Sequence, residues 1–101
     1  MIFAYRIFDA GPDRMLAICD KPLIGRKFEE GELNIYVSEE FYFEKECDGK
    51  KAVELAKSST IVNAVGEGIV NLLAKNNFID EKFVLQISGV PHAQIVAVKQ
   101  A

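Results

Sequence analysis

The sequence predicts an α+β fold, in which a four- to five-stranded, mostly antiparallel sheet carries two helices on one face, in the order β-β-β-α-α-β-β. Short apolar runs with turn residues between them lie near both ends of the chain, and helical spacing holds through its middle. Strands that flank a block of helices are typical of α+β domains. At 101 residues, the chain is predicted to form a single domain over residues 1–101.

The first 38 residues predict a β-hairpin and one further strand. The hairpin spans residues 2–19 around a turn at 9–13, and it ends at Lys21-Pro22 because proline donates no ladder hydrogen bond. Residues 23–31 are expected to be a connector, and residues 33–37 alternate as a half-buried strand does. Three side chains of the first strand are expected to share one face: Phe3, Tyr5 and Ile7.

Two helices are predicted after a short segment at residues 39–43, which is either a strand or an aromatic loop. Asp48 is a suitable N-cap for the first helix, over residues 49–57. The second is predicted over residues 60–75, with Ser58 or Ser59 as its cap and Asn76-Asn77 as its stop. Residues 83–87 and 94–98 are predicted as the last two strands.

Composition limits the class of protein. The formal net charge is −3 and the pI is about 5.1, so no general nucleic-acid-binding surface is expected. Cys19 and Cys47 form no Cys-x-x-Cys pair, and the N-terminal run is too short and too charged for a signal peptide or a membrane span. A cytoplasmic protein with no membrane segment is therefore expected. No common nucleotide or hydrolase motif is present, and the sequence predicts no cofactor and no metal.

His92 is the single histidine, and it lies in Gly89-Val90-Pro91-His92-Ala93-Gln94 between two apolar runs. A histidine titrates near pH ~6.5, so it can exchange protons at neutral pH. Pro91 restricts the backbone here, and Gly89 permits a close backbone approach or a positive φ, so such a turn would hold the ring rigidly at a strand junction. The alternative is an ordinary hairpin histidine that is hydrogen-bonded to backbone.

The second helix is predicted to carry two glycines, Gly66 and Gly68, in its interior. Each costs roughly 0.8–1 kcal/mol relative to alanine, so close packing of another element or of a ligand is expected to offset them. A helix that breaks at Gly66 is the other possibility. Asn63, Glu67 and Asn71, spaced four residues apart, would form one polar stripe, which is otherwise a solvated face.

Two further candidate sites contain carboxylates, Cys19-Asp20 and Glu39-Glu40. Cys19 precedes Asp20 at the end of a strand and would be a nucleophile if His92 lay beside it, although a buried core cysteine is the more common case. Glu39 and Glu40 would act as acid and base only if the chain turned there, because neighbouring strand residues face opposite sides. A solvated acidic edge explains them equally simply.

Several blocks occur in a characteristic order: Cys19-Asp20, Leu23-Ile24-Gly25, Val37-Ser38-Glu39-Glu40-Phe41-Tyr42, Asn63-x-Val65-Gly66-Glu67 and Gly89 to Gln94. Over about residues 14–96, this order resembles an archaeal family of small proteins, the domain-of-unknown-function family numbered 424. One departure is Phe43-Glu44, where a glycine-containing turn is expected.

The resemblance implies an archaeal, cytoplasmic, single-domain protein linked with components of translation, and it implies no particular activity, substrate or cofactor. It also marks motif positions, which are Cys19, Asp20, Gly31, Glu39, Glu40, Tyr42, Asn63, Gly66, Glu67, Pro91, His92 and Gln94. If these residues gather, they form a pocket of carboxylates, amides and one imidazole.

Two classes of function follow. The first is a binding or accessory module for a protein or ribonucleoprotein partner, suggested by small size and by the aromatic tract Phe41-Tyr42-Phe43. The second is a small enzyme with His92 as general acid/base and Glu67 or Glu39 as its orienting carboxylate. A variant of the second places a divalent cation on Glu39, Glu67 and His92.

Overall fold

The structure, a computed structural model, describes residues 1–96. Its strands are β1 (Phe3–Ala10), β2 (Asp13–Asp20), β3 (Lys27–Glu30), β4 (Leu33–Tyr36), β5 (Lys45–Cys47), β6 (Ile61–Val65), β7 (Leu85–Ile87) and β8 (Val90–Val96). Its α-helices are α1 (Glu39–Tyr42), α2 (Gly49–Lys57) and α3 (Glu67–Lys75). Two short 3-10 helices lie at Lys21–Leu23 and Glu81–Phe83.

Six strands form one sheet in the order β5-β1-β2-β6-β8-β7, and β3 pairs with β4 in a separate hairpin. All neighbours in the large sheet are antiparallel except β2 and β6. The α+β class with a mostly antiparallel sheet is thus confirmed. The predicted strand number was wrong, because the sheet holds six strands rather than four or five.

The structure confirms the predicted β1–β2 hairpin and both ends of the predicted helical block. The hairpin of β1 and β2 is in antiparallel register around its turn, and α2 is capped by Asp48, whose Oδ1 accepts from Lys51 N–H at 2.9 Å. The helix α3 ends at Lys75, before Asn76 and Asn77, and Asn77 has a φ of 62°. Turn and capping residues act on their sequence neighbours, so these features could be predicted without knowledge of the tertiary structure.

The predicted helix over residues 60–75 was wrong over its first seven residues. Residues Ile61–Val65 form the strand β6 in the middle of the sheet, Gly66 turns the chain with a φ of 121°, and α3 begins only at Glu67. Ser58 and Ser59 consequently cap no second helix. Both hydroxyls instead donate to Leu55 O, at 3.0 and 2.8 Å, at the end of α2.

Four other segments differ from their predictions. The expected connector at residues 23–31 contains β3, and residues 39–42 are a single helical turn with Ser38 as N-cap. Phe43 ends that turn with an extended φ of −130°, so no glycine is needed there. The strand expected at 83–87 begins at Leu85, and the one expected at 94–98 begins at Val90. Positions 97 and 98 of that prediction lie outside the described residues.

The sheet separates two apolar cores. Its first face packs against α2 and α3, and Phe3 and Tyr5 lie in that core with Ile7 packed against it, as predicted. Its second face packs against α1 and the β3–β4 hairpin through residues that include Cys19, Val37 and Tyr42. The sequence predicts the helical layer but not the layer on the second face.

Candidate functional site

Two rows of side chains cross the second face of the sheet. In one row Arg6, Ala17, Asn63 and Gln94 stand opposite one another on β1, β2, β6 and β8. In the next row, Ala4, Cys19, Val65, His92 and Leu85 do so, with Leu85 on β7. The strand order therefore places residues from distant parts of the sequence side by side.

Three polar side chains meet at the oxygen of Asn63. Tyr42 Oη donates to Asn63 Oδ1 at 2.7 Å, and His92 Nε2 lies 3.3 Å from the same oxygen. Because an amide oxygen only accepts, this arrangement requires the hydrogen of the neutral imidazole to sit on Nε2. Tyr42 reaches the sheet from α1, where it is buried, and so the cluster joins α1, β6 and β8.

Some hydrogen-bond donors and acceptors of this cluster have no partner among the described residues. Among residues 1–96, neither the Asn63 amide N–H groups nor His92 Nδ1 has a hydrogen-bond partner. Both side chains are half-buried, and Gln94 beside them is exposed. Leu85, opposite His92, is 50% exposed. We refer to Asn63, Leu85, His92 and Gln94 together as the His92 surface.

Burial sets the protonation states around this cluster. It lowers the pKa of His92, which favours the neutral ring, and it raises the pKa of the Tyr42 hydroxyl, with a smaller contribution from Cys19. Burial, and then the charge of Asp20, raises the pKa of Cys19 to about 12. A protonated, fully buried thiol is a poor nucleophile, so Cys19 serves as a core residue.

Gly66 and Gly68 make room for Asp20, not for His92. The Asp20 carboxylate accepts from Gly68 N–H and from Ile69 N–H, each at 2.8 Å, at the start of α3. A Cβ on Gly66 would lie 2.5 Å from Asp20 Cγ, and one on Gly68 would collide with Met1 Sδ and lie 2.9 Å from Asp20 Oδ1. The positive end of α3 is therefore neutralised by the chain's own carboxylate.

Pro91 stands opposite Gly66 where the sheet gives way to the helix. Gly66 N–H donates to Pro91 O at 2.9 Å, and Gly66 O accepts from Val70 N–H at 3.0 Å. Because proline has no N–H, it does not compete for Gly66 O, which is left to begin α3. The motif residues Asp20, Gly66 and Pro91 thus have a common structural task.

The acidic candidates do not join the His92 cluster. Glu67 is exposed on the first turn of α3 and borders a depression with Val70, Gln86 and Pro91. Glu39 and Glu40 are exposed on α1, and a hydrogen bond from Arg6 goes to the backbone oxygen of Glu40. Within residues 1–96, no carboxylate bonds to His92, and no group of three potential ligands is placed to hold a metal ion.

The aromatic tract is part of the second core and leaves little aromatic surface. Phe41 stacks on Phe8 with ring centroids 5.3 Å apart, and Tyr42 is only 3% exposed. The uncovered apolar side chains lie elsewhere, and Leu85 and Leu33 among them were not predicted. Leu85 is uncovered because β7 is an edge strand, and Leu33 because its strand β4 lies in a separate two-stranded hairpin, and neither placement is visible in the sequence.

The largest groove described is on the first face and is separate from the His92 surface. Its volume is about 990 Å³, and it is bordered by Asn71, Leu72 and Lys75 of α3 and by Phe78 and Ile79. Of the residues singled out from the sequence as candidates for a site, Gly68 and Asn71 border it, whereas His92, Asn63 and Glu67 do not. Among residues 1–96, no helix is both long and apolar enough to cross a membrane.

The fold and the cluster define a small α+β protein with one half-buried Tyr–Asn–His constellation and no assembled acid–base pair among its described residues. The chain belongs to the family described as "Protein of unknown function (DUF424)", whose model matches residues 8–98. The resemblance stated from the sequence is thereby confirmed. A crystal structure of an uncharacterized conserved protein from Methanopyrus kandleri is similar to the chain, with a TM-score of 0.78 and 22% identity, over 100% of this chain and 96% of that one. No curated protein matches.

Proposed function

We propose that the protein is a binding module that recognises a protein partner through the His92 surface. The observation that carries the proposal is the exposure of Leu85 beside unused polar groups of Asn63 and His92. Apolar side chains with a few oriented polar groups are the usual composition of an interface core and its rim. Tyr42 holds Asn63 in place, so these groups are preorganised for recognition.

The geometry favours binding over acid–base catalysis. A catalytic histidine is commonly oriented by a carboxylate and faces a concave pocket. His92 is oriented by an amide, and burial lowers its pKa, so the ring is suited to accept a hydrogen bond at Nδ1. Within residues 1–96, neither Glu67 nor Glu39 bonds to His92, so no carboxylate orients the ring.

The test is site-directed photo-crosslinking in lysate of cells that express the protein naturally. A photoreactive residue replaces Gln94, which is exposed and adjoins Asn63. The charge-neutral variant Leu85→Asn should weaken capture of the cross-linked partner roughly fivefold, because about half of a leucine side chain, worth about 1 kcal/mol, is lost from the interface.

The matched control is Ile2→Asn. Ile2 is 47% exposed, close to the value for Leu85, and it precedes β1, four strands away from β7. Ile2→Asn should leave cross-linking unchanged. Equal cross-linking by Leu85→Asn and the unsubstituted chain, with both folded by circular dichroism, would overturn the proposal.

A further inference from the structure

Negative charge is concentrated in residues 29–44, which form the end of β3, the strand β4 and the helix α1. This segment, here called the acidic cover, contains six glutamates and no lysine, arginine or histidine. The chain has fifteen acidic and twelve basic side chains, so the rest of it carries nine acidic and all twelve basic ones. The cover thus has a charge of −6, and the remainder has a charge of +3.

The six glutamates of the acidic cover have no basic partner among the described residues. All six are exposed, and within residues 1–96 none of them forms an ion pair. The two basic side chains that precede the cover in the sequence are engaged with rings, since Arg26 lies over Phe28 and Lys27 over Tyr36, at 5.1 and 5.3 Å from the ring centroids. Arg6 donates to the backbone oxygen of Glu40, not to a carboxylate. The charge of the acidic cover is therefore available to an outside group.

The acidic cover adjoins the His92 surface at the end of the β3–β4 hairpin. Ser88, at the turn between β7 and β8, donates its N–H to Glu30 Oε1 at 2.9 Å and its hydroxyl to Glu29 O. Leu33 pairs with Glu30 in the hairpin and is 42% exposed. Leu33 of β4 and the 50% exposed Leu85 of β7 lie on two strands that contact each other, and these two side chains are together called the apolar strip.

We propose that the partner presents a basic polypeptide segment, with lysine or arginine side chains flanking apolar ones, to this strip and the acidic cover. The inference rests on the proposed binding function and adds the chemistry of the partner. Charge complementarity directs such a segment to the cover, while burial of Leu33 and Leu85 supplies the apolar contact. A nucleic acid fits poorly, because six carboxylates repel a phosphate backbone.

The test uses defined peptides and NMR spectroscopy of the full chain. Three probes are compared: a twelve-residue peptide of alternating Lys and Leu, its counterpart of alternating Glu and Leu, and a single-stranded RNA of twelve nucleotides. The basic peptide should shift amide signals of residues 29–35 and 85–88, and its affinity should fall as salt is raised. The acidic peptide and the RNA should leave these signals unchanged.

Two charge reversals provide the matched pair of variants. Glu32→Lys alters the acidic cover, and Glu54→Lys makes the same change of net charge at an exposed position of α2. Glu32→Lys should weaken binding of the basic peptide by at least about threefold, whereas Glu54→Lys should have no more than a small effect. Equal effects of the two would mean that only net charge matters, and they would overturn the proposal.

The outcomes separate this inference from the function on which it depends. If Leu85→Asn weakens cross-linking to the natural partner but the basic peptide shifts no signals at this strip, the binding function stands and the basic-partner inference fails. If RNA shifts the same signals, the inference also fails. If the basic peptide binds here but Leu85→Asn leaves natural cross-linking intact, the proposed function fails at this surface.

Discussion

Asn63 connects the side chains from which we infer binding. Its oxygen accepts from Tyr42 Oη at 2.7 Å and lies 3.3 Å from His92 Nε2, so that one amide fixes both a buried phenol and a half-buried imidazole. A buried phenol without a partner would cost about 1–3 kcal/mol. The bond from Tyr42 therefore orients Asn63 firmly, and Asn63 in turn favours the imidazole tautomer with hydrogen on Nε2.

The titration of His92 is the first prediction. Burial lowers the pKa of the folded state below the unperturbed value of ~6.5. The unfolded chain then takes up a proton at a higher pH than the folded chain does, so acid favours unfolding. Stability from the neutral ring should be complete above about pH 6.5 and should be lost as the pH falls through the folded-state pKa.

NMR spectroscopy measures this directly, because the chain has one histidine and therefore one set of imidazole signals. The midpoint should lie below ~6.5. In urea unfolding between about pH 7.5 and 5.5, the free energy of unfolding should fall for the wild type and fall less for His92→Gln. A midpoint at or above ~6.5, or the same pH dependence in both proteins, would contradict the assigned environment.

At the level of elements, the junction of β6 and α3 shows where a sequence pattern is ambiguous. Ile61, Val62 and Val65 fit a helical stripe together with residues of α3, but they fit a strand that is covered on both faces just as well. The strand is favoured because it pairs with β2 on one side and β8 on the other. A single turn at Gly66 separates the two periodicities.

The second prediction tests the cap that completes this junction. Asp20→Ala should lower the free energy of unfolding by about 1–2 kcal/mol, because it leaves Gly68 N–H and the buried Ile69 N–H without their acceptor. Urea unfolding followed by circular dichroism measures the change. The control is Glu67→Ala, which removes an exposed carboxylate from the same first turn and should cost less than about 1 kcal/mol.

Asp20→Ala should also leave cross-linking from position 94 unchanged when the protein is folded. The carboxylate of Asp20 contacts α3 and takes no part in the hydrogen bonds around Asn63. If Asp20→Ala costs no stability, Asp20 does not act as the cap of α3, and a loss of cross-linking in the folded variant would assign Asp20 to binding.

The candidate site could be predicted only in part from the sequence, for a related reason. His92, Asn63 and Tyr42 were each singled out by their neighbours in the chain, yet their contact depends on β6 lying next to β8 and on α1 lying over both. Strand order is a tertiary property that alternation does not encode. The exposure of Leu85 likewise depends on β7 being an edge strand, which its three residues do not reveal.

At the scale of the whole molecule, the six-stranded sheet contributes one face to each of the two cores. Along β2, Leu16 and Ile18 face the core under α2 and α3, whereas Ala17 and Cys19 face the core under α1 and the hairpin. Because both cores pack on this sheet, unfolding of the sheet exposes the side chains of both cores. The expectation of a single domain therefore becomes a prediction that the two cores unfold together in one transition.

Two core variants test this coupling. Leu73→Ala opens a cavity in the first core and should cost about 2–5 kcal/mol, and Val37→Ala does so in the second core at about 1.5–3 kcal/mol. Asn71→Ala, at an exposed position of α3, should change stability by no more than about 0.5 kcal/mol. In urea, each core variant should shift one midpoint and keep the slope of the wild type, since the surface exposed on unfolding is the same.

Hydrogen exchange shows which backbone amides lose protection when a core variant destabilises the protein. If the sheet couples the cores, the slowest amides of α3 and those of the second-face layer should lose protection by the same factor in each core variant, because both exchange through the same global unfolding. Loss of protection confined to α3 in Leu73→Ala, or a second transition in urea, would show instead that the helical layer unfolds alone. The sheet and the second-face layer, with the His92 surface at their junction, would then be the unit that persists.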